Sequence, residues 1–165
     1  MAKKNKKSGA PVLKHIKVDS CWVFHFDGEG CSGCNAEYMA CFSPAWDIER
    51  LGFRNTGNPA YADILLVTGL IDKACRRQLT GIYRQLPEGS KVVAAGSCAC
   101  TGGMFGNLSG VVSGIDSMIP VYVYVSGCAS RPEALIDALI KARDEDAGTL
   151  EMNLARMQEE EAADE

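Results

Sequence analysis

Four short stretches of the chain are runs of apolar, β-branched or aromatic residues: Cys21–Phe26 (CWVFHF), Ile64–Thr68 (ILLVT), Val92–Ala95 (VVAA) and Val121–Val125 (VYVYV). Several are continuous and do not alternate with polar residues, which is the pattern of strands buried on both faces of a parallel sheet. Helical patterns lie between them. Asn35–Phe42 follows the first run, and Lys73–Gln85 follows the second, with Asp72 placed as N-cap and Pro87 just past its end. Arg131–Ala142 follows the fourth, where Ser130 and Glu133 have capping-box spacing and Pro132 sits in the first turn. Strands alternating with helices predict an α/β fold, with about four strands in a mainly parallel sheet flanked by helices and joined by right-handed crossovers. Four strands over this length suit a flavodoxin-like domain. The glycine-rich stretch Thr101–Gly114 reads as a long surface loop, and such loops in compact domains usually carry function or an interface.

Composition agrees with a folded domain. Of the 165 residues 47% are apolar and 23% charged, which excludes a disordered, collagen-like or coiled-coil chain. No apolar run approaches the roughly 18 residues that span a bilayer. The basic N-terminus is not followed by an apolar stretch, so no secretory signal is expected and the protein is expected in the cytoplasm. The net charge of −4 is unevenly spread. Residues 1–17 form a basic arm with six lysines and no acids, and residues 144–165 form an acidic tail. Between them, residues 18–143 read as one α/β domain. The arms are either solvated ends or, for the basic one, a docking element for an acidic partner or anionic lipid. No basic stripe interleaved with aromatics marks the folded part, so nucleic acid is not expected as a partner.

Eight cysteines are many for a domain in a reducing compartment, where cysteines more often bind metal or react than pair. Cys31 and Cys34 lie in GEGCSGC, after the first strand and at the start of the first helix. Cys98 lies in AAGSCACTGG after the third strand, and Cys128 in VSGCASRPE after the fourth. The ends of parallel strands share one edge, the edge where α/β proteins bind ligands. Three loops thus bring four thiols to one region, a donor set for a 4Fe–4S cluster or for structural zinc. Zinc sites usually draw on two close pairs, whereas here one CxxC joins two single cysteines, each beside glycine. Glycine lets backbone N–H groups approach sulfur, which tunes a cluster. Plain burial as small hydrophobes is the third reading, and it explains poorly why four cysteines occupy matching strand ends. Cys21, Cys41 and Cys75 read as core or helix-face residues. Cys100, two residues beyond Cys98, competes with it as ligand; Cys98 is preferred because it stands directly after the strand-ending Gly96-Ser97.

The segments GCSGCNAE, YADILLVTG, GSCACTGGMF and IPVYVYVSGCASRPEAL resemble the cluster-bearing small subunit shared by complex I, where it is the B-type component, and the membrane-bound, energy-converting (Ech-type, group 4) nickel–iron hydrogenases. The resemblance runs from about Trp22 to Ala142. It implies a flavodoxin-like fold and one 4Fe–4S cluster within residues 18–143, held by Cys31, Cys34, Cys98 and Cys128. Complex I subunits resemble one another in having adjacent cysteines at the first pair, and the hydrogenase branch in having CxxC. Ser32 and Gly33 separate the pair here, which resembles the hydrogenase branch. Glu37 matches an acidic residue that the family associates with proton movement. The family's GCPPRPE appears as GCASRPE, with Ala129 and Ser130 in place of two prolines, and Tyr122 stands where aspartate is common.

The resemblance implies a division of labour. A nickel–iron centre takes two CxxC pairs and this chain has one, so hydrogen activation would belong to a separate large subunit. The remaining implied partners are a ferredoxin-like iron–sulfur subunit and membrane ion-translocating subunits, with this chain peripheral on the inner face of the membrane. Arg131 is placed to offset cluster charge, and Glu37 to relay protons; alternatively both are ordinary residues of helix starts. His25 and His15 are not expected as ligands. Asp47, Glu49, Arg50 and Arg54 form either a subunit contact or a solvated loop. Three functions compete: hydrogenase electron transfer, a complex I-like quinone- or sulfur-reducing subunit, and a structural zinc protein.

Overall fold

The structure is a computed structural model that describes residues 20–144. The basic arm and all of the acidic tail but Asp144 lie outside the described residues. Five parallel strands form one sheet: β1 (Cys21–Asp27), β2 (Phe53–Asn55), β3 (Ile64–Thr68), β4 (Lys91–Ala95) and β5 (Val123–Val125). Their spatial order is β2-β1-β3-β4-β5, the doubly wound, flavodoxin-like order. Every residue of β3 is buried, as its unbroken apolar run requires of a central strand. Helices α1 (Gly33–Ala40) and α4 (Pro132–Asp144) cover one face, where Tyr38, Leu135 and Leu139 meet Val23, Leu66 and Val93. On the other face α2 (Lys73–Tyr83) and the short α3 (Ser97–Thr101) bring Leu79 and Ala99 onto Leu65, Val67 and Ala94. Each such fully buried aliphatic side chain contributes about 1.5–3 kcal/mol, so both layers are firmly seated on the sheet.

The fifth strand corrects the expected count of four. β2 is three residues long and pairs Phe53 with Cys21 at the sheet edge; only Phe53 is buried. So short an edge strand has no room for a hydrophobic period. It follows a 3-10 turn at Ile48–Leu51 whose Ile48 is fully buried, so this charged segment is pinned by Ile48 and Phe53 while Asp47, Glu49, Arg50 and Arg54 stay exposed. The expected cap of α2 is present: Asp72 accepts hydrogen bonds from the backbone N–H groups of Ala74 and Cys75 at 2.9 and 2.7 Å. The expected capping role of Ser130 is not. Ser130 is buried and its hydroxyl donates to the Val125 carbonyl at 3.2 Å, tying the loop before α4 back to β5. The stretch 101–114 is a loop with a 3-10 turn at Gly103–Phe105, but α3 ahead of it was not expected.

Candidate functional site

All five strands point the same way, so the loops that follow them meet on one edge of the sheet. Cys31 lies in the loop after β1, Cys34 is the second residue of α1, Cys98 the second of α3, and Cys128 follows β5. All four line a single cavity of about 120 Å³. Backbone bonds hold its walls in place. Glu29 and Leu70 exchange N–H···O=C bonds at 2.8 and 2.7 Å, joining the loops after β1 and β3. Gly96 N–H donates to Val125 O at 2.8 Å and Ser97 N–H to Gly127 O at 2.9 Å, joining those after β4 and β5.

Glycines shape the space around the sulfurs. Gly96 ends β4 with φ 89°, a left-handed conformation, and a Cβ there would collide with Cys34 Sγ. A Cβ on Gly33 would stand 3.4 Å from Cys31 Sγ, and one on Gly103 3.4 Å from Cys98 Sγ. Three of the four thiols therefore abut backbone that carries no side chain. The Cys98 thiol is pushed up, first by burial and then by the neighbouring Cys128, Cys31 and Cys34. The other three thiols thus lie within electrostatic reach of Cys98.

Two residues apart on a helix point roughly 200° from each other, so α3 sends Cys98 and Cys100 opposite ways. Cys98 faces the cavity, while the Cys100 thiol turns inward and donates to Ala94 O at 3.5 Å and Val125 O at 3.7 Å. Cys21, Cys41 and Cys75 are buried in the core, as expected. Glu37 is half-buried on α1 and does not line the cavity. Arg131 is 78% exposed, with Nε 3.5 Å from the Glu133 carboxylate. An exposed pair of this kind is worth little, and it holds the guanidinium near an acid in the first turn of α4. Asp27, at the end of β1, does line the cavity; nothing in its apolar surroundings marks it in the sequence.

Among the described residues, no three His, Cys, Asp or Glu side chains converge as a site for a single metal ion. The four thiols instead surround a common space, with glycine behind three of them. Four cysteine thiols without imidazole are a donor set that fits an iron–sulfur group as well as tetrahedral zinc. No helix among the described residues is long and apolar enough to cross a membrane.

A flavodoxin-like sheet with four thiols lining one cavity at the ends of its strands defines the class of the fold and the place of its candidate site. The chain belongs to the family described as the 20 Kd subunit of NADH ubiquinone oxidoreductase, which matches residues 31–142. The probable membrane-bound hydrogenase subunit mbhJ of Pyrococcus furiosus is 38% identical over 123 residues, 74% of each chain. The B-type subunit of the NADH-quinone oxidoreductase of Citrifermentans bemidjiense is 40% identical over 133 residues, 81% of this chain and 76% of that one. Among solved structures, the membrane-bound sulfane sulfur reductase, an archaeal respiratory membrane complex, matches with a TM-score of 0.65 and 31% identity over 74% of this chain and 67% of that chain. The resemblance read from the motifs holds: this is a subunit of the oxidoreductase kind. The hydrogenase and quinone-oxidoreductase relatives lie within two percentage points of each other, so overall identity does not choose between their branches.

Proposed function

We propose that this chain is the electron-transfer small subunit of a ferredoxin-linked, ion-translocating nickel–iron hydrogenase complex. The observation that carries the reading is the convergence of Cys31, Cys34, Cys98 and Cys128 from three separate loops on one glycine-walled cavity. These residues would hold one 4Fe–4S cluster. When bound, such a group supplies one-electron exchange at low potential. The chain's own part is to hold the four sulfurs, to let backbone approach them at Gly33, Gly96 and Gly103, and to aim the first N–H groups of α1 at a site of negative charge. The implied neighbours are a nickel–iron large subunit, a ferredoxin-like iron–sulfur subunit and membrane ion-translocating subunits, with this chain peripheral on the inner membrane face. Glu37, one turn along α1 from Cys34, is proposed as a proton relay. Replacing Glu37 by Gln is expected to abolish turnover with iron content intact; unchanged hydrogen evolution rules the relay out.

A second reading is favoured by the sulfane sulfur reductase and quinone-oxidoreductase relatives: the same subunit serving a quinone- or sulfur-reducing complex. The CxxC spacing at Cys31 and Cys34 supports the hydrogenase. Purification of the assembled complex decides both levels. Four iron and four acid-labile sulfide per chain are expected for the cluster. A copurifying large subunit with two CxxC pairs, together with hydrogen evolution, supports the hydrogenase; a large subunit lacking those pairs moves the chain to the second reading.

A further inference from the structure

A chain of hydrogen bonds leads from the interior of the sheet to the cavity wall. Thr68, fully buried at the end of β3, donates its hydroxyl proton to Asp27 Oδ1 at 2.7 Å, and its oxygen lies 2.8 Å from His25 Nε2. A threonine hydroxyl carries a single proton. Because that proton goes to the carboxylate, His25 must donate through Nε2–H, which leaves Nδ1 as the basic nitrogen. The β1–β3 register sets Asp27 directly beside Thr68, and His25 lies two residues back on the same face of β1. Asp27 lines the cavity with the four thiols; His25 does not. A polar trio of this kind between two strands of a buried sheet is costly unless every bond is made, and here the bonds form one directed line.

We propose that His25, Thr68 and Asp27 form a proton wire that serves the cavity. The inference rests on the proposed function and extends it to residues other than Glu37. A proton taken up at His25 Nδ1 makes the imidazolium. Its Nε2–H bond then breaks as an O–H bond forms on Thr68, while the Thr68 proton passes to Asp27. The result is a neutral imidazole protonated at Nδ1 and a neutral carboxyl at the cavity wall, with no proton lost. A cluster held by the four thiols would gain negative charge on one-electron reduction by a redox partner, and Asp27 at the cavity wall would then hold the proton more tightly. Among the described residues His25 meets Asp27 on its own strand, the Thr68 hydroxyl on β3 and Tyr38 of α1, whose ring centroid is 4.6 Å from the imidazole; Asp27 in turn shares the cavity with Glu29 and the four thiols. Burial holds the imidazole below its ordinary range and Asp27 opposes this, so His25 rests neutral and its imidazolium is a transient carrier, not a resting state. The phenol of Tyr38 is buried without a hydrogen-bond partner, so it does not divert the line.

The test is a redox titration of the purified complex, followed by the EPR signal of the reduced cluster at a series of pH values. The wild-type midpoint potential is expected to fall as pH rises. His25→Gln and Thr68→Val are expected to lose at least half of that dependence, whereas Thr68→Ser, which keeps the hydroxyl, retains it. Iron content is measured in each preparation, and if His25→Gln fails to load iron the Thr68 pair decides. A potential independent of pH in the iron-loaded wild type overturns the wire, as does an unchanged slope in the loaded variants. A wild-type complex devoid of iron overturns the cluster reading, and the wire with it. A trio that only braces the sheet lowers stability in the variants and leaves the slope alone, which also counts against the proposal.

Discussion

The eight cysteines divide into two sets of four that share a side chain and little else. Cys31, Cys34, Cys98 and Cys128 lie in loops or at helix starts on one edge of the sheet and line a common cavity. Cys21, Cys41, Cys75 and Cys100 point into the layers between sheet and helices. Burial lifts Cys21 to about 12 and Cys41 to about 11, and it is the leading cause of the rise at Cys75 and Cys100. At Cys98 burial again leads, but the next contributors are the three other cavity thiols. The difference teaches that a thiol's chemistry follows from which end of a strand or which side of a helix carries it. The inward set behaves as small hydrophobes; the edge set is a donor array.

The largest effect separates the sets directly. Replacing any one of Cys31, Cys34, Cys98 or Cys128 by Ser is expected to strip the complex of this chain's iron, measured as iron and acid-labile sulfide. Cys100→Ser and Cys75→Ser are expected to retain it. Iron lost in Cys100→Ser and kept in Cys98→Ser would reverse the assignment on α3.

Alkylation of the iron-free chain sharpens the contrast. The thiolate is the reactive form, and its fraction falls tenfold for each pH unit below the pKa. A thiol pushed up to about 11, as in Cys41, is therefore only about one part in a thousand ionised at pH 8. Peptide mapping after iodoacetamide treatment at pH 8 is expected to find Cys31 and Cys128 labelled, both exposed, with Cys21 and Cys41 unlabelled until the chain unfolds. Early labelling of Cys21 would mean that the core does not seal it.

A smaller effect tests the cavity walls. Gly96→Ala puts a Cβ against Cys34 Sγ at a residue with φ 89° and is expected to cost about 1–3 kcal/mol and to lower iron occupancy. Gly81, in the last turn of α2, has nothing within 4 Å of the corresponding position, so Gly81→Ala is expected to stabilise by up to about 0.5 kcal/mol and leave iron unchanged. Denaturant midpoints and iron analysis on the two variants give the comparison.

The smallest effect lies away from both sets. The Asp72 carboxyl sits below its ordinary range, chiefly because it accepts the Cys75 backbone N–H. A carboxylate with a lowered folded value stabilises above its unfolded pKa, and that contribution is lost as pH falls through the folded value. Asp72→Asn is expected to flatten this acid-side loss slightly in pH-dependent unfolding. Iron content stays unchanged; a change in it would tie the cap of α2 to the cavity.

Much of this was legible in the residues alone. A continuous run such as Ile64–Thr68, five residues long, with β-branched residues at Ile64, Val67 and Thr68 and Gly69 just after it, reads as a strand covered on both faces, and the structure buries all five. Once the strands are parallel, chain order alone puts the residues after Cys21–Asp27, Lys91–Ala95 and Val123–Val125 on one edge, and four cysteines with them. Tertiary structure decided the rest. Position directly after Gly96-Ser97 favoured Cys98 over Cys100 in the sequence, but that the two thiols point opposite ways is decided by the helix phase of α3. Ser130 has the spacing of a cap, but burial turned its hydroxyl to the Val125 carbonyl. β2 owes its pairing to one buried phenylalanine beside β1, a contact across some thirty residues that no local period records. Asp27, Thr68 and His25 meet only because the register of two parallel strands brings them level. Local pattern determines which residues leave water and in what order; which side chains then face each other depends on register and helix phase, and these are set by packing between segments far apart in the chain.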